Sequence, residues 1–149
     1  MTQDILSSKA YELGVKIGAI SAFCEAAASE AKSMSLSSLF LPADFDLIDA
    51  EARRVAEENG VHLYLEKSLL ATDLFPNVDT AGKWVYVIYK KKEFLDRYLD
   101  LKEEKERLVK AGQYSGDARL EIARNFGRIL GYSEGYLEGR LKAGSRKTE

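Results

Sequence analysis

The N-terminal part of the chain has the hydrophobic pattern of an amphipathic helix. Between residues 3 and 32, apolar side chains recur at spacings of four and three, as in a heptad seam. The seam consists of Leu6, Ala10, Leu13, Ile17, Ile20, Cys24, Ala27 and Ala31. This pattern predicts one long helix with a buried side. It also predicts that Cys24 is a packing residue, because a free cysteine usually behaves as a small apolar side chain.

Small residues are concentrated in the same predicted helix. Gly14 and Gly18 lie four residues apart among several alanines, although each glycine inside a helix costs about 1 kcal/mol relative to alanine. Glycines at this spacing are typical of helices that another helix approaches closely. Charged residues in the segment make lipid an unsuitable neighbour. We therefore expect a protein helix as the partner, with the chain's own core favoured over a second copy.

The next part of the chain has the pattern of a strand, a helix and a strand. Residues 36–41 form a short apolar run, although its serines also suit a loop. An amphipathic stretch follows, with Asp44 or Asp46 as its N-cap and Gly60 placed to end it. Residues 62–66 then alternate with the period of a strand. The order predicts a βαβ crossover with two parallel strands.

A further strand and a helical region complete the pattern. Residues 83–90 alternate β-branched and aromatic side chains, and the turn-rich segment before them favours a hairpin with residues 69–75. After residue 91, apolar residues at helical spacing stand among dense charges. This pattern predicts helices through the C-terminal third.

Together these elements predict an α/β or α+β fold. Its parts are a long N-terminal helix, a small mixed sheet of three to four strands that contains the βαβ unit, and a helical C-terminal third. The composition, with 46% hydrophobic and 31% charged residues in 149, is typical of a globular protein. We expect one domain of residues 1–149, with residues 144–149 as a frayed tail.

Charged residues are distributed unequally between the two halves of the chain. The formal net charge of −2 gives the whole molecule no attraction for nucleic acid or anionic lipid. The first 75 residues, however, carry 6 basic and 12 acidic side chains, and the remaining residues carry 16 and 12. The two halves can therefore attract each other or a second copy of the chain.

The sequence predicts a cytoplasmic location and no membrane partner. The amino terminus is acidic where a secretory signal would be basic, and no apolar run approaches the roughly 20 residues that span a bilayer. The chain has one cysteine, which excludes a disulfide framework and a thiolate metal cluster.

Acidic residues form the first candidate site. In an open parallel sheet, ligands bind beyond the carboxyl ends of the strands. The βαβ interpretation places several carboxylates at that edge, where they could hold Mg²⁺ as a cofactor, with Lys67 orienting a phosphate. The candidate metal ligands are Asp44, Asp46, Glu66 and Asp73. The alternative is that they cap a helix, lie in water or order a turn, since no metal motif of fixed spacing is present.

A sheet face forms the second candidate site. If the predicted strands are neighbours, polar and aromatic side chains of both would share one surface, which suits a small-molecule ligand or a subunit interface. The residues are His62, Tyr64, Glu66, Trp84 and Tyr86. The alternative is that a helix covers this face. A lone histidine is by itself a weak catalytic signal.

The third candidate is a pair of helical segments that meet at a Gly-Tyr-Ser turn, as in a helix-turn-helix. Its second helix would bring Glu134 and Glu138 towards phosphate, which argues against DNA binding. Arg124 and Arg128 share a face of the first helix and remain candidates for weak phosphate contact.

Two main hypotheses follow from these patterns. The favoured one is a cytoplasmic binding or protein-interaction module that forms a homodimer, with a small molecule as an open second ligand. The alternative is a metal-assisted enzyme that acts on a phosphorylated small molecule through the carboxylates. The glycine patterns of dinucleotide-binding and P-loop proteins are absent, and a nucleic-acid binder is the least favoured class.

Overall fold

The computed structural model describes residues 8–147, and their side chains as far as residue 143. Contacts divide the chain into two compact units. Among the described residues, one unit consists of residues 8–69 and 80–90, and the other of residues 70–79 and 91–147.

The first unit contains two helices, and residues typical of helix caps lie at their ends. Helix α1 (Lys9–Ala28) begins after Ser8, whose Oγ accepts the Tyr11 N–H at 3.1 Å. Helix α2 (Phe45–Asn59) follows a short 3-10 turn (Pro42–Asp44). It ends at Gly60, whose φ of 68° is left-handed and suits glycine. The predicted end of α2 is therefore confirmed.

The sheet of the first unit has three strands, β1 (Met34–Leu36), β2 (His62–Glu66) and β3 (Val85–Tyr89). Strand β3 lies between the other two and pairs antiparallel with each. The predicted sheet of three to four strands is confirmed in strand number, but it is antiparallel and not mixed. Because α2 returns the chain in its starting direction, β1 and β2 run parallel as predicted, although β3 separates them.

Strand β3 is central because its side chains are apolar on both faces. Residues 85–88 are all buried, whereas β1 and β2 each include less buried positions. The expected strand at residues 36–41 is displaced to β1, with one isolated bridge between Phe40 and Trp84. The expected hairpin of residues 69–75 with residues 83–90 is wrong, since residues 70–79 belong to the second unit.

The core of the first unit lies between one face of the sheet and helices α1 and α2. Tyr86 and Ile88 of β3 point into it. The predicted seam of α1 is confirmed in its C-terminal half, where Ile20, Cys24 and Ala27 are buried. Of the remaining seam residues, Leu13 packs against this core, Ile17 is partly buried, Ala10 and Ala31 are exposed, and Leu6 lies outside the described residues.

The glycines of α1 do not face this core. A Cβ placed on Gly14 or Gly18 would meet no atom within 4 Å, and both residues are exposed. The expectation that the chain's own core approaches the small residues is therefore wrong for Gly14 and Gly18, whereas it holds for Ala27, which is buried in the core, and for Ala28, which packs against it. The helix presents a second side, opposite its buried seam, that is open in the described structure.

The second unit is helical, as predicted for the C-terminal third. It consists of α3 (Lys92–Lys110), α4 (Gly116–Ile129) and α5 (Glu134–Lys147). The predicted tail at residues 144–149 begins inside α5, and residues 148 and 149 lie outside the described part of the chain. No helix among residues 8–147 is long and apolar enough to cross a membrane.

The irregular segment of the second unit, residues 70–79, is bound by one cation from each of the three helices. Lys105 of α3 donates to the Ala71 carbonyl oxygen. Arg119 of α4 forms two bonds of 2.7 Å with the Asp73 carboxylate. Arg140 of α5 donates to the Leu74 carbonyl oxygen at 3.1 Å. The three contacts give polar groups of an irregular backbone the partners that a regular element would supply.

Two buried serines, Ser35 in β1 and Ser37 directly after it, differ in whether their hydroxyl groups are hydrogen-bonded. Among the described residues, the buried Ser35 hydroxyl has no hydrogen-bond partner. By contrast, Ser37 Oγ accepts the Tyr86 N–H at 2.9 Å. Removing an unpaired hydroxyl relieves a desolvation cost, whereas removing a partner creates one. We expect Ser35→Ala to raise the free energy of unfolding by about 1 kcal/mol, and Ser37→Ala to lower it by about 1–3 kcal/mol. Urea unfolding of both variants measures this, and a loss of stability in Ser35→Ala would contradict it.

The contact between α4 and α5 depends on the absence of a side chain at Gly127. A Cβ there would collide with the fully buried Leu137. We expect Gly127→Ala to lower the free energy of unfolding by about 1–3 kcal/mol, because overpacking outweighs the helix propensity gained. Gly139→Ala is the control, since its Cβ would meet no atom within 4 Å; it should raise stability by up to about 1 kcal/mol. Equal effects of both substitutions in urea unfolding would refute the close contact.

Candidate functional site

The five residues predicted to form one sheet face lie on two faces. The register pairs His62 with Tyr89 and Tyr64 with Val87, and cross-strand partners point to the same side. Trp84 and Tyr86 therefore lie on the opposite side. The prediction that all five residues share one surface is therefore wrong. His62, Tyr64 and Glu66 are paired with Tyr89, Val87 and Val85 of β3, whereas Trp84 and Tyr86 alternate with these residues and point to the other face.

On the helix side, Tyr86 is a structural residue. Its ring is fully buried, and its hydroxyl donates to Asp49 Oδ1 at 2.6 Å. Burial and this bond to a carboxylate raise the pKa of Tyr86. Trp84 is partly buried on the same side, and the Lys67 ammonium lies 4.8 Å from its ring centre. Lys67, a predicted phosphate ligand, is thus placed in a cation–π contact.

On the other side, the three polar residues of β2 differ in exposure. His62 is exposed, Tyr64 is half-buried and Glu66 is buried. Oε1 of Glu66 accepts the Ser68 N–H at 2.8 Å. Only the His62 end of this strand is therefore open to a ligand from solvent.

The structure does not bring the four predicted metal ligands together. Asp44 is buried and pairs with Lys9 of α1 at 2.8 Å; it occupies the N-cap of α2 without a capping bond from its side chain. Asp46 is exposed in the first turn of α2. Asp73 belongs to the second unit and is bound by Arg119. In residues 8–147, no group of three or more His, Cys, Asp or Glu residues is placed to hold a metal ion.

The two predicted phosphate-binding arginines are bonded to carboxylates. Helices α4 and α5 and the turn between them do form a helix pair. Arg124 Nε donates to Glu138 at 2.7 Å, and Arg128 Nε donates to Glu134 at 2.7 Å. The arginines hold the pKa of both glutamates below the usual range. The charges of this motif therefore serve to join its two helices.

A hollow beside His62 is the feature that sequence reasoning missed. It has a volume of about 460 Å³, within the range of small-molecule sites. It is lined by Arg53, Ala56, Glu57, Gly60, Val61, His62, Leu63 and Tyr89. The sequence did contain a signal for it, because Arg53 and Glu57 lie one turn apart on a helix that ends at Asn59, three residues before His62. Only the histidine was a predicted site residue.

Aromatic and charged groups line this hollow. The His62 ring lies 5.4 Å from the Tyr89 ring at an interplanar angle of 36°. Arg53 bonds Asp49 Oδ2 through Nε at 2.9 Å. Within the described structure, no residue bonds its two Nη groups, the His62 nitrogens or the Glu57 carboxylate. Several hydrogen-bonding groups at one hollow therefore have capacity for a ligand.

The outward side of α1 is the other open surface. We name it the α1 outer face and define it as Tyr11, Gly14, Val15, Gly18, Ser21, Ala22 and Glu25, all of which are exposed. Tyr11 is 46% exposed and Val15 is 54% exposed. Successive members are three or four residues apart along the helix or adjacent, so they form one stripe.

Comparison of the chain with known protein families, with curated proteins and with solved structures found no match.

The burial of Cys24 predicts an inert thiol. Desolvation raises its pKa to about 11. We expect the folded protein at pH 8 to react with a thiol-specific reagent at least about 100-fold more slowly than the unfolded chain, because little thiolate forms and access is blocked. Absorbance of the released chromophore measures both rates in the absence and presence of denaturant. Rapid labelling of the folded protein would show that the thiol is accessible.

Proposed function

We propose that the protein is a protein-interaction module that forms a homodimer through the α1 outer face. The observation that carries the proposal is that Gly14 and Gly18 are open to solvent next to exposed Tyr11 and Val15. Apolar side chains on a helix are typically turned towards a core or a partner. One side of α1 packs on the core of its own unit, and the other has no described partner.

The charge of this surface also supports a partner. None of the exposed residues from Gly14 to Ala22 is charged. The exposed side of α2 is different: there Arg54 bonds both Glu51 and Glu58. Solvated helix faces usually carry such pairs. Interface cores are depleted in charge, so the composition of the α1 outer face favours contact with protein over contact with water.

The spacing of the α1 outer face supports a second copy of this chain as the partner. Its members are arranged symmetrically about Gly18: Gly14 and Ala22 lie four residues away, and Tyr11 and Glu25 lie seven residues away. An antiparallel two-fold pairing would place Gly18 against Gly18. It would also place Tyr11 opposite Glu25 of the other copy, where the hydroxyl can donate to the carboxylate. A two-fold interface requires such self-complementarity.

The missing side chains determine how closely the two helices can approach. Glycine and alanine at the contact let helix axes come nearer than the usual 8–10 Å, which brings backbone and side-chain atoms into dispersion contact. Unpartnered glycines would otherwise cost about 1 kcal/mol each in helix stability. The dimer offsets this cost. In this proposal the protein keeps the cytoplasmic location that its sequence predicts.

Gly18→Glu tests the interface without weakening the helix, because glutamate is a better helix former than glycine. It would bury a charge at the centre of the contact. We expect sedimentation velocity over a series of protein concentrations to show a dimer for the unmodified chain. In Gly18→Glu the dissociation constant should rise by about 100-fold or more.

The matched control is Ala50→Glu, an exposed alanine inside α2 that lies outside the α1 outer face. It adds the same charge and should leave the dissociation constant unchanged. If the unmodified chain sediments with the mass of one chain at every concentration, the dimer proposal is wrong. An equal effect of both substitutions would place the interface elsewhere.

A further inference from the structure

The hollow beside His62 has two opposite charges that do not pair with each other. Arg53 and Glu57 lie one turn apart on α2 and both line it. In the described part of the chain the two form no ion pair with each other, and Glu57 has none with any residue. Arg54, the next residue along, shows the contrast, since its guanidinium is bonded to Glu51 and Glu58. Arg53 itself pairs with Asp49 through Nε alone, so its two Nη groups and the Glu57 carboxylate remain available to a ligand.

The charges around the hollow disfavour a ligand that is purely anionic or purely cationic. A simple anion would face Glu57 and the C-terminal end of α2, which is the negative end of its dipole, and it would bind an Arg53 whose charge Asp49 already balances in part. A simple cation would leave the Nη groups of Arg53 without a partner. A ligand that carries both charges satisfies both residues, with its carboxylate on Arg53 and its ammonium on Glu57.

The uncharged residues that line the hollow indicate the chemistry of the rest of the ligand. Leu63 contributes apolar surface beside the buried Ala56 and Val61, and the His62 and Tyr89 rings form an aromatic wall. An apolar side chain gains free energy by leaving water at such a surface. Gly60 has no side chain to obstruct it.

We propose that this hollow binds a free α-amino acid with an apolar side chain. Arg53 holds the carboxylate, Glu57 holds the ammonium, and the His62–Tyr89 wall contacts the side chain. This inference does not depend on the dimer, because every residue that lines the hollow belongs to one chain.

His62 provides the measurement, since it is the only histidine of the chain. Its ring protons give one set of NMR signals, which report directly on a ligand at the aromatic wall. The probes are L-leucine and L-phenylalanine, with sodium acetate and ethylammonium chloride as the two half-ligands. We expect saturable shifts of the His62 signals with the amino acids at millimolar concentration, and at least about tenfold weaker binding of either half-ligand.

Substitutions at Arg53 and Glu57 test the contribution of each charge to binding, while unfolding experiments check that each variant is folded. Arg53→Lys keeps the positive charge near Asp49 but removes the fork that binds a carboxylate through two bonds, and Glu57→Gln removes the negative charge. Each should weaken amino-acid binding by about tenfold or more. Arg54→Gln, beside the hollow but not lining it, is the control and should bind as the unmodified chain does. Urea unfolding establishes that each variant is folded.

Two results would overturn the proposal. The first is the absence of a saturable His62 shift with either amino acid up to about 50 mM, which lies beyond the range expected for a ligand of this size. The second is binding of acetate as tight as that of the amino acids and unaffected by Glu57→Gln, which would identify a site for simple anions.

Discussion

The first unit depends on strand β3 being buried on both of its faces. Four consecutive residues of this strand are buried, and both of its edges are hydrogen-bonded, to β1 and to β2. No other arrangement of the three strands would give this run two paired edges, because only the central strand has two neighbours. The position of β3 in turn places α1 and α2 on one side of the sheet and directs Tyr86 and Ile88 into their core.

Polar contacts at β3 then specify the details of this arrangement. The Tyr86 N–H is bonded by Ser37 beside one edge strand, and the Tyr86 hydroxyl is bonded by Asp49 of α2. A change of register by one residue would reverse the two faces and leave these groups without partners. Asp49 also accepts a bond from Arg53 Nε through its other carboxylate oxygen, Oδ2, which orients Arg53. The hollow beside His62 is thus connected through Asp49 to the central strand.

Helix ends, strands and the buried side of a helix could be predicted from the sequence, because they depend on residues close together in the chain. Helix α2 ends at Gly60 as expected, since a left-handed residue after a helix suits glycine. Strand β2 and the burial of Cys24 were likewise predictable from short-range periodicity. The site was predicted only at His62. The sequence presents Arg124 and Arg128 as candidate phosphate ligands, whereas the structure pairs both with glutamates of α5.

The sequence by itself determined the helices and the strands β2 and β3, but it placed β1 at residues 36–41 and predicted a strand at residues 69–75 that the structure does not contain. Only the tertiary structure decided the order of the strands, the side on which Gly14 and Gly18 lie, and the meeting of Arg53, Glu57 and His62 at one hollow. The reason is physical. Periodicity records which side of an element is apolar, but which surfaces meet depends on pairings between residues far apart in the chain.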